Sequence, residues 1–215
     1  MKKFAVILSG CGVFDGAEIH EATLSLYSIK KLGADYEVFA PDTEQFHVIN
    51  HITGDAMPEK RNVLVESARI ARGKIRPLDQ FDPAAFDALL IPGGFGAAKN
   101  LSTFAFDGVN CVVNKDVDNA IKGMHKAGKP IGALCIAPVL LSRILGMGEV
   151  TIGSDAGVAE AVVKLGGTHK NTSHGQVVTD PKHKLFTTPC YMLDADIAQI
   201  GLGAENLVKA MLEIK

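Results

Sequence analysis

Ile131-Gly132-Ala133-Leu134-Cys135-Ile136-Ala137-Pro138-Val139-Leu140-Leu141 is the stretch on which the fold turns. Ile131–Leu134 reads as a short apolar strand, and Ile136-Ala137-Pro138-Val139-Leu140-Leu141 reads as the start of a helix. Cys135 therefore falls on a sharp strand-to-helix turn of the kind that forms a nucleophile elbow. A helix N-terminus offers free N–H groups and a partial positive charge. Both stabilise a thiolate, so the thiol pKa is expected to drop from about 8.5 into the range of roughly 3.5–7.5. A buried structural cysteine is the competing reading, and position alone does not separate the two.

Working outward, short β-rich runs alternate with longer helical patterns, which is the signature of βαβ units around a parallel sheet. Phe4–Leu8, Tyr36–Ala40, Ala88–Ile91, Val150–Gly153, Gln176–Thr179 and Lys184–Thr188 read as further strands. Helices are predicted from Asp15-Gly16-Ala17-Glu18, a capping-box pattern, to about Leu32, with Gly33 as the stop. Others are predicted over Asn62–Arg72, Lys115–Lys126, Ile136 to about Ile144, Val158–Leu165 and Ala195–Glu213. No linker, repeat or low-complexity tract interrupts the pattern, so residues 1–215 are read as one α/β domain.

In an open parallel sheet, ligands bind beyond the carboxyl ends of the strands. Three segments end there: Ser9-Gly10-Cys11-Gly12, Pro92-Gly93-Gly94-Phe95-Gly96 and the Cys135 turn. The glycine segment lets the backbone turn tightly and aim its amides at one point, which suits a developing oxyanion. It lacks the Lys-Ser/Thr ending of a phosphate loop, and Gly10-Cys11-Gly12 lacks the third glycine of a dinucleotide fingerprint. A proton carrier is also required beside a nucleophilic thiol. Glu18 is explained by capping, three residues after Asp15, whereas Glu21 has no local task and is the preferred partner. A solvated helix surface stays open for both. Among His20, His47, His51, His125, His169, His174 and His183, only His20 adjoins Glu21, and adjacent helix residues point about 100° apart. His20 is thus a supporting candidate, and His174 and His183 read as solvated. Cys11 and Cys190 fall near the same rim, which leaves a second thiol at the site open.

Composition narrows the function classes. Hydrophobic residues make up 47% and charged residues 21%, so the chain should fold into a packed core. A net charge of −2 argues against a nucleic-acid partner. Arg61, Arg69, Arg72, Lys74 and Arg76 follow helical spacing and read as a solvated helix face. Four cysteines with no CxxC pair give no support to a metal or redox pair and suggest a reduced, cytoplasmic setting. Met1-Lys2-Lys3 and the apolar run Phe4–Leu8 before Cys11 imitate a lipoprotein signal. Five apolar residues fall short of the roughly 7–15 of an export segment, however, and no stretch approaches the ~20 of a membrane span.

Taken together, these residues resemble the glyoxalase ElbB group within the PfpI-type, class I glutamine-amidotransferase-like superfamily. The resemblance covers essentially the whole chain. It rests on Leu8-Ser9-Gly10-Cys11-Gly12-Val13, Asp15-Gly16-Ala17-Glu18-Ile19-His20-Glu21, Val48-Ile49-Asn50-His51, Arg61-Asn62-Val63-Leu64, Pro92-Gly93-Gly94-Phe95-Gly96-Ala97-Ala98-Lys99-Asn100-Leu101, Cys135-Ile136-Ala137-Pro138 and Thr187-Thr188-Pro189. It implies a flavodoxin-like three-layer sandwich with Cys135 as nucleophile and Glu21 as its acidic partner, on a Gly-Ala-Glu-x-x-Glu pattern. The oxyanion and substrate-binding group would be Gly93, Gly94, Phe95 and Gly96, with Ile136 beside the nucleophile.

Glyoxalases, amidase-like enzymes, peptidases and proposed deglycases share that superfamily. The peptidase pattern puts His directly after the nucleophile, where this chain has Ile136, and no late His-Glu pair matches the amidotransferase pattern. The resemblance therefore favours a cofactor-independent, metal-free glyoxalase that converts a small α-oxoaldehyde such as glyoxal to glycolate. Amidase or deglycase action on carbonyl adducts, and a non-catalytic redox-sensing or partner-binding scaffold, are the alternatives. A homodimer is expected on the same resemblance.

Overall fold

The computed structural model describes residues 1–214. Strands are β1 (Lys3–Ile7), β2 (Asp35–Ala40), β3 (Ile75–Pro77), β4 (Ala88–Ile91), β5 (Ile131–Leu134), β6 (Glu149–Val150), β7 (Thr168–His169), β8 (Val178–Asp180) and β9 (Leu185–Thr188). Helices are α1 (Ile19–Lys31), α2 (Val63–Ile70), α3 (Phe95–Lys99), α4 (Phe104–Asp107), α5 (Lys115–Lys126), α6 (Pro138–Leu145), α7 (Ala156–Lys164) and α8 (Ile197–Glu213). Seven strands form one sheet in the order β3-β2-β1-β4-β5-β9-β8, parallel throughout except for the antiparallel β8–β9 pair.

Side-chain alternation builds the layers. Phe4 and Val6 of β1 pack with Leu26 and Ile29 of α1 and Leu207 of α8, whereas Ala5 and Ile7 pack on the other face with Ile121 of α5 and Leu140 of α6. The result is the flavodoxin-like three-layer sandwich that the family resemblance implies, built on the parallel sheet that the alternation of elements predicts. The chain leaves β1 toward β2 and β3 on one side and returns through β4 and β5 on the other. That topological switch point lies beside the loops after β1, β4 and β5.

Several boundaries follow from punctuation. The α1 helix ends in cap Leu32 and Gly33 at φ +79, and α5 begins where Asn114 caps the Asp116 and Val117 amides. Other expectations are corrected. Glu18, not Asp15, caps α1, accepting from the Glu21 N–H at 2.7 Å. Asp15 is instead taken by the Ile49 N–H at 2.7 Å, so its carboxylate ties the β1 loop to the segment around residue 49. Helix α2 stops at Ile70, which puts Arg72, Lys74 and Arg76 on the following turn and β3 instead of one helix face. Arg61 and Arg69 pair with Glu66, and Arg76 with Glu37.

Val150–Gly153 is not a strand. Only Glu149 and Val150 pair, because Thr187 Oγ1 takes the Thr151 amide and Thr151 Oγ1 takes that of Gly153. β3 and β7 escape sequence reading, since two or three residues carry no usable period. His183 is half-buried, with its ring 5.9 Å from that of His125, so it is not the solvated residue expected; His174 is exposed.

Candidate active site

Cys135 follows β5 directly and adopts φ +59, a conformation that costs a non-glycine residue about 1–3 kcal/mol. Packing sustains it. Leu134 and Leu140 on either side are buried, and each such side chain contributes about 1.5–3 kcal/mol. The Cys135 N–H donates to the Thr188 carbonyl at 3.0 Å, fixing the turn to β9. The Gly94 and Ile136 amides and the Glu21 carboxyl stand beside its sulfur and act on its acidity.

Glu21 lies in the first turn of α1 and is fully buried. The Gly93 N–H donates to its Oε2 at 2.9 Å and the Tyr191 N–H to its Oε1 at 3.3 Å. Burial, reinforced by the nearby Glu18 carboxylate, raises its pKa from 4.5 to about 8, against the pull of those two amides and the Cys135 thiol. Near neutral pH Glu21 is therefore mostly protonated. Cys135 is pushed up as well, by burial first and the Glu21 charge second, although the Gly94 and Ile136 amides draw it down. This reverses the expectation of a thiolate stabilised at a helix end, because desolvation outweighs two amide hydrogen bonds.

The glycine segment distributes its amides unevenly. Gly93 gives its amide to Glu21, Phe95 to the Val13 carbonyl at 2.8 Å, and Gly96 to the Gly16 carbonyl at 2.8 Å. Of the expected oxyanion group, Gly94 and Ile136 aim their amides at the sulfur, whereas Gly93, Phe95 and Gly96 spend theirs within the protein. The Phe95 side chain still lines the cleft. Gly94 adopts φ +91, ψ 161, and a Cβ there would collide with the Glu18 amide and the Gly16 carbonyl. Gly94→Ala should consequently lose at least about 2 kcal/mol of stability. An unchanged urea midpoint would show that the loop is not held in this geometry.

The other candidates separate by position. Glu18 caps α1, and its N–H donates to the Gly93 carbonyl at 3.0 Å, so it props the glycine loop. His20 is exposed and places Nδ1 at 2.7 Å from the Tyr191 hydroxyl, without reaching the sulfur. Cys11 lies among Glu66, Arg69 and Asp15 on the far side of the β1 loop and is not brought to Cys135. Cys190 is brought there. Its thiol is buried, and the Glu21 and Cys135 charges add to burial in pushing its pKa up.

Above Cys135 opens a cleft of about 310 Å³, walled by Val13, Phe95, Phe104, Val158, Tyr191 and Met192 among others. Tyr191 and Met192 went unread in the sequence. A signal existed, since β9 neighbours β5 and the residues just after Thr188 must emerge at the same rim. Among the described residues, no cluster of three or more His, Cys, Asp or Glu is placed to hold a metal, and no helix is long and apolar enough to cross a membrane.

With this geometry established, the chain can be set beside known proteins. It is 48% identical over 222 residues to the human protein named glutamine amidotransferase-like class 1 domain-containing protein 3, mitochondrial, covering 99% of this chain and 83% of that one. A crystal structure from Ehrlichia chaffeensis, titled isoprenoid biosynthesis protein with amidotransferase-like domain, superposes with a TM-score of 0.91 at 37% identity, covering 98% of each chain. Glyoxalase III from Candida albicans shares the fold, with a TM-score of 0.63 at 16% identity over 98% of this chain and 96% of that one. The cytoplasmic setting read from the cysteines is overturned by the mitochondrial name of the human relative. Unpaired cysteines report a reducing environment, not which compartment provides it. The sequence model described as DJ-1/PfpI family matches residues 12–190, which include the glycine loop, Glu21, Cys135 and Cys190, and the chain belongs to that family.

Proposed function

We propose that this protein is a cofactor-independent glyoxalase of the ElbB type, acting on a small α-oxoaldehyde. The observation that carries the reading is the Glu21 carboxyl, buried against Cys135 with a pKa raised to about 8. A group poised there can both take and return a proton near neutral pH. Candida glyoxalase III indicates only that the same architecture hosts such chemistry in another protein.

The steps follow from the residues. The ionised fraction of Glu21 accepts the thiol proton as Cys135 sulfur bonds to the aldehyde carbon, and the developing oxyanion meets the Gly94 and Ile136 amides. Glu21 passes that proton on to the oxygen, which gives a hemithioacetal and leaves the carboxylate ionised again. Glu21 then removes the proton from the carbon bearing sulfur to give an enediol, and after exchange with solvent it returns a proton to the neighbouring carbon. The first carbon is oxidised to a thioester and the second is reduced to an alcohol, so no external oxidant enters. Water cleaves the thioester to the 2-hydroxy acid and frees the thiol.

Incubation with ¹³C-glyoxal in D₂O, without glutathione or added metal, is expected to yield glycolate carrying deuterium on its alcohol carbon. No glycolate would refute the reading, and glycolate without deuterium would replace the Glu21 shuttle with a hydride shift. Rate constants give a second test, because kcat/KM reports groups of the free enzyme. It should rise with pH, by about tenfold per unit below the Glu21 pKa, and level off above it. A flat profile from pH 6 to 9 would remove Glu21 as the base. The redox-sensor alternative fares worse on the same geometry, since a thiol that burial keeps protonated is a poor target for oxidants. Deglycation is separated by trapping free aldehyde: adducts that persist under trapping exclude direct attack on them.

A further inference from the structure

Among the described residues, Tyr191 is the one residue lining the cleft whose side chain carries a hydroxyl. Around it stand Val13, Phe95, Phe104, Val158 and Met192, none of which offers a hydrogen bond to a polar substrate. Tyr191 is anchored at both ends. Its backbone N–H donates to Glu21 Oε1 at 3.3 Å, and its hydroxyl sits 2.7 Å from His20 Nδ1, the rings 5.9 Å apart. Burial and the Glu18 and Glu21 carboxylates push the phenol up, so it stays protonated, and in the tautomer with Nδ1–H of His20 donating to its oxygen the hydroxyl hydrogen is left for substrate. His20 is exposed in the first turn of α1, has no contact with the sulfur, and takes this hydroxyl as its partner.

An α-oxoaldehyde carries two oxygens on adjacent carbons. The Gly94 and Ile136 amides serve the oxygen on the carbon that sulfur attacks. They leave the second oxygen facing an apolar wall with one donor in it. We propose that Tyr191 binds this second carbonyl oxygen, with His20 as the positioning residue that holds the hydroxyl, and that the pair selects vicinal dicarbonyls over simple aldehydes of equal size. The proposal rests on the glyoxalase reading of the Cys135 site, which it deepens into a choice of substrate class.

Methylglyoxal and propanal test this, because they are nearly isosteric and differ by the second oxygen. The measurement is the aldehyde concentration that half-protects Cys135 from iodoacetamide, referenced to each variant's alkylation rate without aldehyde. Tyr191→Phe keeps the ring and the backbone amide. It should raise the half-protecting concentration of methylglyoxal about 5- to 10-fold, the worth of one hydrogen bond, and leave that of propanal unchanged. His20→Ala should give a smaller shift of the same kind. His20→Asn, whose amide occupies the place of Nδ1, should restore the wild-type value.

Equal shifts for both aldehydes in Tyr191→Phe would mark the tyrosine as structural and overturn the proposal, as would no shift for either. If the wild-type protein forms no 2-hydroxy acid but methylglyoxal still protects selectively through Tyr191, the glyoxalase reading falls and the recognition stands. No protection of the wild-type protein by methylglyoxal overturns both.

Discussion

Cys135→Ser is expected to reduce turnover of an α-oxoaldehyde by at least about 10³-fold, with folding stability within about 1 kcal/mol of the wild type. The hydroxyl can occupy the same turn and accept the same Gly94 and Ile136 amides that now meet the sulfur. What it lacks is acidity. A carboxylate whose conjugate acid has a pKa of about 8 can take a proton from a thiol in an attacking geometry, and it is far too weak a base for a serine hydroxyl. Serine is also a shorter nucleophile, and the pocket does not close to compensate. Gly93 lies so near that a Cβ on it would come within 2.5 Å of the Cys135 Cβ, so the facing walls are already in contact. Single-turnover assays with ¹³C-glyoxal measure the loss, and chemical denaturation checks the fold. Retention of more than about a tenth of wild-type turnover would remove Cys135 as nucleophile.

The layout of the site was legible where local chemistry decides it. Ala88–Ile91 and Ile131–Leu134 are bounded by Pro92-Gly93 and by Lys129-Pro130, so sequence alone bounded both central strands and the rim where they end. Lys115–Lys126 is equally readable, with Gly128-Lys129-Pro130 stopping it. Glu21 stands out in the sequence as the carboxylate without a capping task, and the fold places it against the sulfur even though Glu18, not Asp15, does the capping.

What stayed hidden was the allocation of hydrogen bonds across long sequence distances. Spacing cannot say that among four consecutive amides one serves a carboxylate 72 positions away, two serve the β1 loop and one is left for the sulfur. Tyr191 was hidden for the same reason, since its partners His20 and Glu21 are brought to it only by packing α1 against α8 and β9 against β5. The protonation state of Cys135 was hidden too. A helix end is visible in sequence, whereas the desolvation that overrides it belongs to the closed three-layer core.

Glu21→Gln is expected to abolish the shuttle and, at the same time, to stabilise the protein progressively as pH rises. General acid–base groups contribute about 10²–10⁴-fold, and turnover should fall by that factor. The stability effect follows from the raised pKa. In the unfolded chain the carboxyl releases its proton near its ordinary value of 4.5, whereas the folded protein holds it to about 8. Below 4.5 both states are protonated and the group has no effect. Between the two values the folded state binds the extra proton, so stability falls as pH rises, by up to about 1.4 kcal/mol per pH unit. Above 8 both states are ionised and the loss is complete.

The glutamine side chain does not titrate, and it introduces its own fixed cost. One end of its amide must present N–H to a backbone donor, at Gly93 or Tyr191, where the carboxyl presents oxygen to both. That cost does not change with pH, and the Cys135 thiol stays protonated throughout the window. Comparing the variant with the wild type at pH 5 and again at pH 8 therefore cancels it. The difference between those two comparisons should favour the variant by about 3–4 kcal/mol at the higher pH. Urea unfolding of both proteins at several pH values measures it. Parallel stability curves would mean that Glu21 titrates in the fold as it does in water, and the proton shuttle would lose the property on which it depends.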